Sequence, residues 1–441
     1  MELKRLVADA GIIGAGGAGF PTYAKLVDGI DTLLVNGAEC EPLLYTDYTI
    51  MKLELETVLC GVVTVLEQRK IPRALFCIKA HTAKRLSLAE GELLAPSVFV
   101  RVLPDVYPMG DEISMIYEAT GRVVKPGALP ASVGVIVNNV ETFYDLGRAV
   151  RSGKPVTDKW VTIGGDVSHP AVVRVPIGTR LPDLFERLGI TVDENHAVID
   201  GGPSMGKLIS FASYSISKIT KAILVLPKNI PAVEGKLIDE KGAVARASTA
   251  CCQCTRCTDM CPRHLLGYPL EPHKLVRTAM GAAEVMPVLV KNATLCCGCG
   301  ICDTLACSQG ISPKKVIDNY KSLLAKLKMK YISDEQISPR TEREYRMIPS
   351  VRWAAALGVS KFDTVPEFVG DLGSFDRVTI RYAAHIGAPA TPVVSNGERV
   401  CRGQLVAAGA DGLSAPYHAS IGGVVTLADK AIIIEKVDED V

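Results

Sequence analysis

Little in this chain of 441 residues points toward a membrane, a nucleic acid or an export route. No charge-free apolar run reaches the roughly 18 residues that a membrane-spanning helix needs. The first twenty residues lack the basic start, apolar middle and small-residue cleavage site of a signal peptide. Neither sign of charge is in excess: 49 Lys and Arg face 48 Asp and Glu, a formal net charge of +1. Bulk attraction to nucleic acid or acidic lipid is thereby excluded, and a soluble, cytoplasmic protein is expected. With 48% hydrophobic residues the chain can bury a large core. Its length suggests two to four domains of about 100–200 residues each.

Cysteine, by contrast, is plentiful. Ten of the fourteen cysteines fall in two tight clusters, eight of them at ligand-like spacing. Without an export signal, metal binding is a better reading than a disulfide framework. Cys251, Cys254, Cys257 and Cys261 follow C-x2-C-x2-C-x3-C with Pro262 next, the spacing of a bacterial ferredoxin. Cys296, Cys299 and Cys302 repeat the triplet, and Cys307 follows after four residues instead of three. Three thiolates so spaced wrap one face of a cubane, and in two-cluster ferredoxins the fourth cysteine reaches the other cluster. Two [4Fe-4S] clusters are expected, one on Cys251, Cys254, Cys257 and Cys307, the other on Cys296, Cys299, Cys302 and Cys261. Structural zinc and buried free thiols are the alternatives. Cys252 and Cys297 abut ligands and receive no role, while Cys40, Cys60, Cys77 and Cys401 read as small buried hydrophobes.

The rest of the chain reads as a multidomain α/β protein. Residues 1–150 alternate Gly-rich turns, apolar runs (Thr32 to Val35, Leu75 to Ile78) and helical stretches such as Met51 to Gln68. Within 158–235, strand, turn, strand, the helix Leu181 to Leu188 and a further strand at Val198 to Asp200 describe a β-grasp-like domain. The cysteine region, 245–330, ends in a basic helical stretch, Lys314 to Lys330, read as a solvated or docking helix. Residues 375–437 carry short β-rich runs (Val378 to Ile380, Val393-Val394, Val424-Val425, Ile432 to Ile434) between Gly, Asn and Asp turns, a compact all-β domain.

Near the start, Gly14-Ala15-Gly16-Gly17-Ala18-Gly19 satisfies G-x-G-x-x-G, with Glu39 twenty residues past the last glycine. Alone this matches a dinucleotide fingerprint, but Leu3 to Ala10 ahead of it has helical rather than strand character. Glycines let backbone N–H groups approach a phosphate, and Pro21 suits the first turn of a helix facing that anion. A loop kept only for tight packing is the alternative.

Four motifs in order, Gly14 to Thr22, Asn36 to Pro42, Tyr107 to Glu112 and Val137 to Thr142, resemble the FMN site of the NADH-oxidising subunit of respiratory complex I. That family includes the C subunit of the Rnf complex and the cobalamin reductases of propanediol utilisation. Trp160 to Leu208 resembles its soluble-ligand-binding β-grasp (SLBB) domain, and His385 to Ala390 with His418 to Ser420 its barrel-sandwich domain. The barrel-sandwich segment is C-terminal here, as in the cobalamin reductases, whereas the Rnf subunit carries it first. The resemblance implies that Gly14, Gly16 and Gly17 line the FMN phosphate loop and that Lys25 approaches the flavin. Asn36, Glu39, Tyr107, Gly110, Glu112, Asn138 and Asn139 would complete the pocket. For Lys25 a solvated surface position is the alternative, and His385 and His418 read as buried, hydrogen-bonded side chains.

The implied activity is that of an electron-transfer flavoprotein: NADH as donor, FMN and two clusters within, cobalamin or a cobalamin-dependent enzyme as acceptor. A cytoplasmic location, free or inside a bacterial microcompartment, goes with it. The alternative is a non-catalytic relay that docks to a redox, membrane or shell partner.

Overall fold

Buried apolar runs become central strands of two of the five sheets, in a computed structural model that describes residues 2–279 and 287–437. In the first sheet Thr32–Asn36 (β1), Arg73–Lys79 (β2), Val98–Leu103 (β4) and Val135–Asn139 (β6) run parallel, with Leu93–Ala95 (β3) antiparallel at one edge. The order is β3-β4-β2-β1-β6. Register pairs Val35 with Asn138 and Asn36 with Asn139, so three asparagines stand together at the carboxyl edge of the sheet. Ligands of open parallel sheets bind at that edge. Helices Leu55–Arg69 and Val140–Ser152 pack against each other beside it. Glycine permits their approach: a Cβ on Gly61 would lie 2.2 Å from the Phe143 carbonyl oxygen, and one on Gly147 1.9 Å from that of Thr57.

Two local expectations change in this first domain. The stretch Met51 to Gln68 is two helices, Thr46–Leu53 and Leu55–Arg69, broken where Glu54 leaves helical geometry. The glycine-rich loop lies between the helix Glu2–Asp9 and β1, so it is not the strand-to-helix turn of a dinucleotide fingerprint. An Ile13–Pro21 bridge closes it, and Pro21 leads into a single 3-10 turn, Thr22–Lys25, in place of the expected helix.

Asp158–Gly165 (β7), Ala171–Pro176 (β8), His196–Asp200 (β9), Lys207–Leu208 (β10) and Ala222–Pro227 (β11) build the β-grasp sheet, and Leu181–Leu188 forms the expected helix. Its sixth strand is Glu367–Asp371 (β13), parallel to β8 and supplied from beyond the cysteine region. Val106–Tyr107 (β5) pairs antiparallel with Ile348–Pro349 (β12), also from beyond the cysteines, tying the first domain to the chain that leaves them. Helices Glu240–Ala250, Pro272–Ala279 and Pro313–Lys326 frame the cysteine segment. Residues 280–286 of that expected domain lie outside the described residues.

The basic helix is shorter than expected. It closes at Lys326, a turn follows in which Lys328 has φ 55°, and Val316, Ile317 and Leu324 are buried, so one face is core. The C-terminal unit stacks two antiparallel sheets. Arg377–Arg381 (β14), Arg399–Val400 (β16), Gly423–Ala428 (β19) and Ala431–Glu435 (β20) form one; Thr391–Pro392 (β15), Leu405–Ala408 (β17) and Tyr417–His418 (β18) form the other. The expected strand at Val393-Val394 falls two residues earlier, at β15. Among the described residues no helix is long and apolar enough to cross a membrane.

Candidate functional site

The four N-terminal motifs converge at the carboxyl edge of the first sheet. Gly16, Gly17 and Ala18 are exposed at the tip of the loop, while Ala15 N–H is held 3.0 Å from Thr142 Oγ1. A Cβ on Gly16 would touch Asn139 Cβ at 3.7 Å, which sets the loop over the end of β6. Gly14 closes the loop from below, donating to the Phe20 carbonyl at 2.8 Å.

The side chains divide into those already engaged and one that is not. Asn36 Nδ2 donates to the Gly110 carbonyl at 3.0 Å and its Oδ1 accepts from Ala38 N, so Asn36 ties two motifs together. Gly110 must be glycine there, because a Cβ would come within 2.6 Å of the Ala38 carbonyl oxygen. Asn139 caps the helix Val140–Ser152 through Glu141 N at 3.0 Å and donates to Asp47 Oδ2 at 2.7 Å. Glu39 accepts from Asp47 N at 2.8 Å and Tyr48 N at 3.1 Å at the start of the helix Thr46–Leu53. Burial, reinforced by Asp47, pushes its carboxyl up to about 8.

Lys25 is not a solvated lysine. It is half-buried, 3.1 Å from Glu112 Oε1 and donating to the Val137 carbonyl at 2.8 Å. Asn138 differs from all of these: it is 3% exposed, and both atoms of its amide lack a hydrogen-bond partner among the described residues. A buried amide without partners is costly. At the carboxyl edge of the sheet, next in sequence to Asn139, it suits a ligand that offers both a donor and an acceptor, as the edge of an isoalloxazine ring does. The residues therefore fit FMN.

Tyr107 stands apart from that pocket. Its hydroxyl donates to the Cys299 carbonyl at 2.6 Å, and its ring stacks on Trp353 with centroids 4.6 Å apart. It joins the first domain to the cysteines. Asp111 does the same through Arg263, at 2.7 Å.

The cysteines surround two cavities. Cys251, Cys254, Cys257 and Cys307 line one; Cys261, Cys296, Cys299 and Cys302 line the other, with Cys297 beside them. This is the crossed arrangement, and the extra residue before Cys307 has a physical explanation. Cys302–Ala306 is a π-helical turn, which takes up one residue more than an α-turn and still delivers Cys307 to the first cavity. Burial, then the neighbouring Cys307, Cys254 and Cys251, pushes the Cys257 thiol up to about 12. Each cavity gathers four cysteines drawn from both ferredoxin-type runs, so both cavities fit iron–sulfur clusters. Gly298 N–H donates to Cys296 Sγ at 3.3 Å, a contact of the type that tunes cluster potential.

Residues 7–148 match the Nuo51 FMN-binding domain, 160–208 the SLBB domain, 250–312 a 4Fe-4S dicluster domain and 359–438 the RnfC barrel sandwich hybrid domain. The chain is 39% identical to cobalamin reductase PduS of Salmonella typhimurium, over 98% of this chain and 96% of that protein. It is 40% identical to cobalamin reductase PduS of Citrobacter freundii, over 96% and 94%. The C subunit of the proton-translocating ferredoxin:NAD(+) oxidoreductase complex of Clostridium ljungdahlii is 35% identical over 60% of this chain and 56% of its own. The chain belongs to the cobalamin reductase PduS family. It is an oxidoreductase built for electron transfer, with FMN-binding and iron–sulfur domains.

This PduS-family chain also holds functional groups that its sequence did not disclose. Lys221, one residue before β11 of the β-grasp sheet, donates to Asn139 Oδ1 at 3.2 Å and pairs with Asp47 and, at 3.3 Å, with Glu141. Burial opposes its charge, but Asp47 and Glu141 hold its pKa above the ordinary lysine value. Lys159 completes the network, 2.6 Å from Glu141. Lys218 donates to the carbonyls of Gly11 and Pro416 at 2.7 and 2.8 Å, and its ammonium lies 4.4 Å from the centre of the Tyr417 ring. Both lysines lie in stretches with no motif, and only their burial between domains marks them. His385 is held by Tyr417 Oη at 2.9 Å as expected, whereas Nδ1 of buried His418 has no hydrogen-bond partner among the described residues and burial pushes that ring down to about 4.

Proposed function

We propose that the chain oxidises NADH at FMN and passes single electrons through two [4Fe-4S] clusters to cobalamin, the substrate named for its PduS relatives. Bound FMN would take a hydride as an electron pair and release its electrons singly, and each cluster would carry one at a time. The residues of this chain supply binding and direction. Asn138 would meet the ring edge, the exposed amides of Gly16 and Gly17 the phosphate, and the Lys25 ammonium negative charge on the reduced ring. Cys251, Cys254, Cys257 and Cys307 would hold one cluster, and Cys261, Cys296, Cys299 and Cys302 the other.

One observation carries the reading. The second cysteine cavity is buried against the flavin-type domain through the Tyr107–Cys299 bond, while Cys254 leaves the first open to solvent. A flavin at the asparagine edge, a buried cluster and a surface cluster would thus stand in series. Steady-state reduction of cob(III)alamin or cob(II)alamin by NADH, measured without oxygen on holoenzyme, tests it. Turnover is expected; none, with flavin and clusters intact, would overturn it. Failure of NADH to bleach the flavin, with normal reduction by ferredoxin, would make the chain a relay.

A further inference from the structure

A cavity of about 330 Å³ opens between the β-grasp loop that follows β9 and the start of the helix Pro313–Lys326. Its walls carry Lys207, Lys236, Lys314 and Lys315 but only two carboxylates, Asp303 and Asp318. Both acids are engaged. Asp303 accepts from Ser312 Oγ and Lys314 N at 2.7 Å each, and Asp318 pairs with Lys314 at 2.5 Å. Lys207, Lys236 and Lys315 form no direct ion pair among the described residues, although the charges of Asp200 and Glu41 act on Lys207 and Lys236 from farther off.

Lys236 records the resulting strain. Its ammonium is fixed by the carbonyls of Ser204 and Gly206, at 2.8 and 2.7 Å. Burial pushes it down to about 8, Glu41 opposes that, and the like charges of Lys314 and Lys315 add to it. Cations crowded into a partly desolvated cavity repel one another until an anion arrives.

The place of this cavity gives it a purpose. Gly300 and Lys314 line both it and the cysteine cavity of Cys261, Cys296, Cys299 and Cys302. Its opposite wall is anchored to the flavin-type domain, where Glu41 accepts from Ser204 N at 2.9 Å and Met205 N at 2.7 Å. The cleft therefore shares a wall with the buried cysteine cavity.

The geometry points to a binding site here for the phosphate group of a one-electron acceptor, taken up among Lys207, Lys236 and Lys315 beside the buried cluster. The inference rests on the electron-transfer reading above and locates its acceptor. One electron leaves the reduced cluster and enters the acceptor; with a corrinoid it reduces cob(III)alamin to cob(II)alamin. A volume of this size takes a phosphate and its immediate substituents, so a corrinoid would seat its phosphodiester arm within and its ring across the mouth.

The test uses holoenzyme reduced with dithionite and inorganic pyrophosphate as the probe. The paramagnetic cluster should broaden the phosphorus NMR signal of pyrophosphate, and the Lys207→Glu/Lys315→Glu double variant, with unchanged flavin and iron content, should abolish the broadening. Equal broadening in both proteins, or none in the parent, overturns the site. This result stands whether or not cobalamin is reduced, so failure of the site and failure of the proposed activity are separable. Steady-state arms identify the source of the phosphate. In the variant, KM for hydroxocobalamin should rise by about tenfold at constant kcat, as loss of charge-assisted bonds predicts. A rise confined to free FMN as acceptor would assign the site to a flavin phosphate. Benzyl viologen, a cation, should be reduced at the parent rate throughout.

Discussion

Lys221 Nζ, just before the strand β11, lies 3.2 Å from Asn139 Oδ1 at the end of β6, although the two residues are 82 positions apart in sequence. The contact fixes the β-grasp sheet to the floor of the flavin-type pocket, because Asn139 also caps the helix Val140–Ser152 and holds Asp47.

Lys221→Met should therefore be costly. It leaves Asp47 and Glu141 without this cation in a buried site, where removal of one partner of a buried pair costs about 3–5 kcal/mol. Chemical denaturation should show a loss of that order and FMN titration a weaker affinity, with Lys221→Arg recovering part of both. An unchanged midpoint would mean that the network carries no net stability.

Asn138→Leu should behave in the opposite sense toward folding. The amide has no partner among the described residues, so an apolar side chain of similar size removes a desolvation cost. The FMN-free protein should be as stable as the parent or more so, while FMN binding weakens by at least about tenfold through loss of two hydrogen bonds. Fluorescence titration of the flavin against both proteins measures it.

How much of this was legible in the sequence differs by element. Strands β1 and β7 were, because their apolar runs are buried on both faces. Strand β13 was not: it is mostly exposed and lies far along the chain from its partner β8, so no local pattern announces the pairing. The crossed cysteine sets follow from spacing, but the offset at Cys307 needed the π-turn to be understood. Pro21 misled, since a bridge and a 3-10 turn satisfy it as well as a helix does. Lys221 and Lys218 were illegible because lysine reads as surface, and only the docking of domains turns it inward. Tyr107 was legible as part of a motif and not in its direction, which Trp353 determines.

Glu39 should impose a pH dependence on stability. Its carboxyl sits at about 8 in the folded chain against 4.5 for the free group, raised by burial and by Asp47. The folded state then binds a proton that the unfolded state has released, so this contribution is fully present below about pH 4.5 and is lost as pH rises toward about 8. Lys221 tempers the effect. Glu39→Gln should remove this component: the melting temperature of the variant relative to the parent should climb between about pH 5 and 8. A constant difference would show that Glu39 ionises normally.

Crossed ligation should give paired spectra. Cys307→Ser should perturb the same EPR signal as Cys254→Ser, and Cys261→Ser the same signal as Cys296→Ser. Pairing of Cys307 with Cys296 instead would refute the assignment.

Electrons should run in series from NADH through flavin to clusters. Anaerobic titration of the holoenzyme with NADH, followed together by flavin absorbance and cluster EPR, tests this most directly. The flavin should bleach and cluster signals should grow in step with added NADH. Flavin and clusters that stay oxidised in excess NADH, yet are reduced by dithionite, would contradict the series path.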